Sequence, residues 1–191
     1  YCLRIDTQAL PPRLLSPSHP VEGAWSNRAK VSFAWEAPAD LSGIVGYYVL
    51  LDKKRGTIPA PETGTWIGEA RFNVDLPEDG EWNFHAVSVD AAGNVGNEAA
   101  HYSLKLDRRA DPPTVESPSH PDPQRWFNTS QLQVQWAVPG DLSGITGYYT
   151  VLDQRAETTP TAHTGTFTLA TALNFAGKGD SLPAEYRLID R

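Results

Sequence analysis

Hydrophobic and polar residues alternate along short stretches of this chain, and the stretches come twice. In "AKVSFAWEA", Val31, Phe33 and Trp35 alternate with Lys30, Ser32 and Ala34. "LQVQW" repeats the scheme, with Leu132, Val134 and Trp136 set against Gln133 and Gln135. Successive side chains of a strand point to opposite faces, so a period of two predicts a strand with one buried face. "YYVLLD" predicts a second strand. "EWNFHAVSVD" predicts a third, with Trp82, Phe84, Ala86 and Ser88 on the inner face and Asn83, His85, Val87 and Val89 on the outer. "AHYSLKLD" predicts a fourth, with Tyr102, Leu104 and Leu106 inward. No segment carries a sustained stripe at the helical period. The 191 residues include 16 Pro and 15 Gly, which suits short strands joined by turns.

The repetition is regular. "DLSGIVGYY", Asp40 to Tyr48, returns as "DLSGITGYY", Asp141 to Tyr149, 101 positions on. "SPSHP" at Ser16 to Pro20 recurs at Ser117 to Pro121. Trp25 maps to Trp126, Trp35 to Trp136, Asp52 to Asp153, Pro59 to Pro160 and Gly64 to Gly165, all at the same offset of 101. Two copies of one unit follow. Several short strands with a turn about every ten residues, in a unit of about 100, predict an all-β protein of tandem sandwiches.

"VSFAWEAPADLSGIVGYYVLLD" resembles the B strand, BC loop and C strand of fibronectin type III domains. "LPEDGEWNFHAVSVDAAGNVG" is similar to the E–F corner and strand F of that family, closing in a D-x-x-G-N turn. The wording of "SPSHP" and "DLSGI-GYY" resembles the Ig-like and fibronectin III-like repeats of bacterial cell-surface or secreted proteins. The likeness covers nearly all of the first copy and most of the second, and it implies fold rather than ligand. One departure stands at Trp82, where the family's corner carries a tyrosine. An indole has no hydroxyl, so the tyrosine-corner bond is not expected here.

Within that frame "DLSG" is a turn between two strands. Asp and Ser can bond downstream backbone amides, and Gly accepts a positive φ. Ile44 is then expected at the end of the sandwich and Tyr47 in its core. The rival reading is a calcium loop built from Asp40, Asp90 and Asn94, with Asp141 as the second copy's equivalent. Calcium takes six to eight oxygens, and these loops offer few carboxylates, so the turn is the expectation.

Composition narrows the chemistry. A net charge of -7 disfavours a nucleic-acid backbone as partner, and no apolar run approaches the ~18 residues of a membrane span. The histidines, His19, His85, His101, His120 and His163, form no metal-ligand spacing. No phosphate loop, nucleophile elbow or C-x-x-C is present. No catalytic residue, cofactor or enzyme activity is therefore expected. A lone Cys2 excludes an internal disulfide framework. Asn128-Thr129-Ser130 fits the N-glycosylation pattern. Of six tryptophans, Trp35, Trp136 and Trp82 are expected in cores. Trp25 and Trp126 are expected to seal sandwich ends, and Trp66, matched by Phe167, to be part-exposed.

The register also covers the ends of the chain. "YCLRIDTQALPP" matches "YSLKLDRRADPP", so residues 1–8 read as the last strand of a preceding sandwich plus linker, 9–108 as the first repeat and 109–191 as the second. "EYRLIDR" lies against "FHAVSVD" without a gap, or against "HYSLKLD" if residues are deleted; the gap-free version needs fewer assumptions and leaves the second repeat one strand short. The chain begins with Tyr and contains no Met, so a processed or partial chain is expected, with any signal peptide upstream.

Together these features predict a non-catalytic structural, adhesion or assembly module of a larger extracellular or surface protein. Its expected partners are neighbouring domains or subunits, by strand complementation among other routes, and glycans. The alternatives are a carbohydrate-binding accessory region of a secreted enzyme, or an accessory subunit docked on a larger membrane or filament complex.

Overall fold

The protein is described by a computed structural model covering residues 1–153, 155, 158–176 and, for the backbone alone, 185–190. Its described residues contain strands and turns and no helix. The chain divides into two compact units, Tyr1–Arg108 and Arg109–Arg191.

In the first unit, β1 (Arg13–Leu15), β3 (Lys30–Glu36) and β6 (Arg71–Asp75) form one sheet in the order β1-β3-β6. The other sheet contains β2 (Trp25–Ser26), β4 (Ile44–Asp52), β5 (Thr65–Ile67), β7 (Gly80–Asp90) and β8 (Ala100–Leu106). Its order is β2-β8-β7-β4-β5. The neighbours are antiparallel except β2 and β8, which run parallel. Both sheets contribute to a single core, an arrangement consistent with a β-sandwich. Val31, Phe33 and Trp35 come from one sheet, and Tyr47, Val49, Phe84, Tyr102, Leu104 and Leu106 from the other. The alternation along β3 and β8 is what the period of two requires. Phe33 and Phe84 stack across the sheets at 4.0 Å, with Phe72 beside them.

The third predicted strand differs from its expected half-burial. In β7 both faces are covered from Phe84 to Asp90. Pro59, fully buried, and Tyr48 press against Gly64, whose missing side chain leaves them room. Near the other end, Gly96 donates to the Ser88 carbonyl and sits against Val87 and the Ala9 carbonyl. Around Val87, the Gly96 loop and the segment at Ala9 thus lie over the outer face.

Residues 1–12 form no strand within this chain. A strand needs a ladder partner, and this segment pairs with none; Asp6 and buried Ala9 and Pro12 tie it to the rest of the first unit. The lead-in that follows bonds through side chains, because Pro17 and Pro20 have no N–H to offer. Ser16 Oγ donates to the Ser32 carbonyl, and Ser18 Oγ accepts from Ser32 N–H, both at 2.9 Å. Buried His19 bridges Ser18 and the Arg28 carbonyl.

Trp82 departs from its expected place in the core. Its indole is half-buried against the core rather than within it. Its Nε1–H donates to the Glu78 carbonyl four residues upstream, at 3.0 Å. This bond ties the indole to the backbone just before β7.

The second unit contains β9 (Val115–Glu116), β10 (Gln131–Trp136), β11 (Tyr148–Asp153), β12 (Thr166–Thr168), β13 (Ala172–Ala176) and β14 (Glu185–Asp190). Its sheets run β13-β10-β9 and β12-β11-β14. Leu132, Val134, Trp136 and Tyr148 are its core. Strand β14 pairs with β11 as β7 pairs with β4, except that Tyr186 opposes Leu152 where Phe84 opposes Leu51. The ungapped alignment would have put Glu185 there, so the register differs from it by one residue.

Candidate functional site

One cluster of polar groups in the first unit lies where the β3–β4 and β7–β8 connections meet. Asp40 Oδ1 accepts from the amides of Ser42, at 3.0 Å, and Gly43, at 2.7 Å, and from the Ser42 hydroxyl at 3.1 Å. Gly43 has a φ of 92°, a left-handed conformation open to glycine at little cost. The "DLSG" stretch is therefore a turn closed by its own aspartate. Asp141 closes the equivalent turn, accepting from the Ser143 amide and hydroxyl at 3.0 and 3.1 Å, with Gly144 at a φ of 85°.

The second connection is tied in the same way. Asp90, only 1% exposed, accepts from the Asn94 amide at 2.8 Å and the Asn94 Nδ2 at 2.7 Å. Ala91 N–H donates to the Gly43 carbonyl and Ala92 N–H to the Ser42 hydroxyl, joining the two turns. Asn94 thus donates twice to Asp90, from its amide and its Nδ2.

Asp6 completes the group, and sequence reasoning missed it. Its carboxylate accepts from Ser42 N–H at 2.8 Å, and its carbonyl from Asn94 Nδ2 at 3.0 Å. The hydrogen bond with Ser42 holds the Asp6 carboxyl below its ordinary range, against a smaller opposing effect of desolvation. Oxygens of Asp6, Asp40 and Asp90 come within 4.8 Å of one another. Three carboxylates can supply part of a calcium shell, which needs six to eight oxygens. Each of the three already accepts backbone amides, and Asp141 lies in the other unit's turn. Nothing in the spacing of Asp6 announces its place, which depends on the path of residues 1–12.

A second polar chain crosses the outer face. Fully buried His85 places Nε2 3.1 Å from Asp52 Oδ1 and Nδ1 2.7 Å from Nδ1 of His101. The Nε2–H tautomer of His85 satisfies both contacts, donating to Asp52 and accepting from His101. Asp52 also accepts from Lys54 N–H at 2.7 Å and the Thr57 hydroxyl at 2.6 Å. Burial, the largest single influence, raises the Asp52 pKa, but these bonds together outweigh it and the net shift is downward. Burial, then the neighbouring charge of His85, lowers the pKa of His101. The chain ties β4, β7, β8 and the turn after Asp52. Sequence spacing hides it, because ladder register, not a local motif, sets His85 opposite His101. In the second unit Asp153 accepts from Arg155 N–H and the Thr158 hydroxyl in the same manner.

The aromatic candidates separate. Trp66 is 47% exposed, packs edge-on to Tyr48 at 5.2 Å and lies over Gly46. Phe167, Tyr149 and Gly147 repeat the arrangement. Trp35 and Trp136 are core residues. Trp25 is half-buried under the Lys105 ammonium, whereas Trp126 is 96% exposed. The expectation that Trp126 seals an end is not met, because no described residue covers it as Lys105 covers Trp25.

No family model matches the chain, and no curated protein matches it. Among solved structures, it is similar to chitinase ChiA74 from Bacillus thuringiensis, at 15% identity and a TM-score of 0.34 over 95% of this chain. It spans 29% of that chitinase's length. It is also similar to the FN1-FN3 domains of chicken CNTN1, at 17% identity and a TM-score of 0.30, covering all of this chain and 68% of that one. Among the described residues no helix is long and apolar enough to cross a membrane.

Proposed function

We propose that the chain is a non-catalytic structural, adhesion or assembly module, a tandem of fibronectin III-like or Ig-like sandwiches belonging to a larger extracellular or cell-surface protein. One observation carries the reading: the conspicuous polar residues act as ties within the fold, and the ties recur in both units. Ser16, Ser18 and His19 bond to the β3 edge and the Arg28 carbonyl. Ser117, Ser119 and His120 bond to Gln133 and Thr129 in the same pattern. Asp40 and Asp141 close equal turns, and Asp52 and Asp153 close another pair. Side chains committed to backbone amides hold loops in place, which suits a unit whose task is to keep its shape under load.

Pulling a single molecule from its two ends tests this. Two separate unfolding events are expected, each releasing about one unit of chain. Smooth extension without events would rule out a load-bearing role.

The runner-up is a carbohydrate-binding accessory region, favoured by the exposed Trp66 face beside Tyr48. Co-sedimentation with insoluble polysaccharides, lost in Trp66→Ala, would replace the first reading with this one.

A further inference from the structure

His85 and His101 lie 16 residues apart, a spacing that carries no metal motif, yet the β7–β8 ladder sets them directly opposite each other. Directly opposed residues of an antiparallel pair share one face of the sheet. The two rings meet nitrogen to nitrogen, Nδ1 to Nδ1 at 2.7 Å, with their planes at 79°. His85 is fully buried, whereas His101 is exposed. The meeting nitrogens are therefore reached from the His101 side.

Asp52 stands behind this contact. Its Oδ1 takes the Nε2–H of His85 at 3.1 Å, which leaves the His85 Nδ1 lone pair aimed at His101. A carboxylate on the far nitrogen is the usual support of a metal-bound imidazole: it fixes the tautomer, orients the ring and makes the near nitrogen a stronger base. Lys54 N–H and the Thr57 hydroxyl hold Asp52 in turn. Against the opposing pull of burial, these bonds and that to His85 keep its carboxyl below the ordinary range, so it is ionised at neutral pH. A cation at Nδ1 would find a counter-charge one ring away. Burial, then the charge of His85, lowers the pKa of His101, so that ring is neutral near pH 7 and has a lone pair to give.

We propose that the Nδ1 atoms of His85 and His101 form a binding site for a divalent transition metal, zinc above all, which clips β8 to β7. Imidazole nitrogen suits zinc, copper and nickel, whereas calcium and magnesium take oxygen ligands. Two Zn–N bonds of about 2.0–2.1 Å at a tetrahedral angle place their nitrogens about 3.3 Å apart. The pair must open by roughly 0.6 Å from its present contact. Exposed His101 can make that movement while His85 stays against Asp52. The proton on His101 Nδ1 passes to its Nε2 by exchange with solvent, so two metal bonds replace one hydrogen bond with no net change in protonation. Water completes the shell on the His101 side. The inference goes beyond the function proposed above and does not depend on it, since the site lies within one unit.

The test adds zinc chloride to the full chain near neutral pH in a non-chelating, reducing buffer, so that Cys2 stays a free thiol. Calorimetric titration should find one tightly held ion per chain. The urea midpoint of the first unit should climb by an equal step for each tenfold excess of zinc over its Kd. Nitrogen NMR of the wild type should show the Nδ1 signals of His85 and His101 shifting while the rings of His19, His120 and His163 hold still. His101→Gln, at an exposed position, should fold with an unchanged circular dichroism spectrum and lose both the saturable binding and the zinc-dependent rise. No saturable binding, binding that moves other histidines instead, or equal binding in His101→Gln overturns the inference. The pulling experiment, run with a chelator present, judges the load-bearing role separately.

Discussion

Gly46→Ala is a sharp probe of how the β4–β5 edge is built. A Cβ at this position would lie 2.5 Å from two ring carbons of Trp66 and 2.8 Å from the Ile67 carbonyl oxygen. The ring can swing outward, since nearly half of it already faces solvent. The carbonyl cannot move freely, because Ile67 pairs with Tyr47 in the ladder. Overpacking of this kind costs about 1–3 kcal/mol, and losing the Tyr48–Trp66 edge contact adds about 0.5–1.5 kcal/mol. Alanine returns about 0.5–1 kcal/mol of backbone entropy relative to glycine. A net loss of about 2 kcal/mol is expected, which at a urea m-value of ~2 kcal/mol/M moves the first unit's midpoint down by ~1 M. Far-UV circular dichroism is the assay, because tryptophan emission changes with the ring. Repeating the substitution in a Trp66→Ala background removes the ring clash and leaves the carbonyl, so its cost should fall by at least ~1 kcal/mol. Equal costs in both backgrounds would show that the ring does not press on Gly46.

Trp82→Phe keeps an aromatic ring but removes the bond to the Glu78 carbonyl; urea unfolding should show a loss of about 0.5–1.5 kcal/mol, and an unmoved midpoint would discard that bond. Phe84→Ala empties the centre of the Phe33–Phe84–Phe72 stack and should cost the first unit about 3–5 kcal/mol. Calorimetry should show that transition alone displaced; a loss under ~1 kcal/mol would place the core elsewhere. The folded pKa of His101 lies below its ordinary value of 6.5, so the unfolded chain takes up this proton first. The corresponding stability is complete above 6.5 and is lost as pH falls through the folded value. Asp52, lowered from 3.8, adds a second loss on further acidification. His101→Gln should flatten the fall of the urea midpoint as pH drops below about 6.5; an unchanged slope would assign the upper loss to another group.

Much of the fold was legible because strand patterning is local. Val31, Phe33 and Trp35 alternate in the sequence and alternate in burial, as do Tyr102, Leu104 and Leu106. The turns were legible too, since Asp40 and Gly43 need only their own neighbours to close a bend. What the pattern could not reveal lay on the second face of β7. His85 and Val87 read as outward and are fully buried, because the segments covering them arrive from distant parts of the chain.

The candidate site divides along the same line. Sequence by itself determined the recurring unit, the inner faces of its strands, the aspartate turns and the correspondence of Trp66 with Phe167; the aromatic pairs over Gly46 and Gly147 came from the structure. Only the tertiary structure brought Asp6 to Asp40 and Asp90, set His85 between Asp52 and His101, and left Trp126 open while Trp25 is covered. Residues two to four apart are constrained by backbone geometry. Asp6 and Asn94, 88 apart, meet only because sheet register and loop path carry them to the same end.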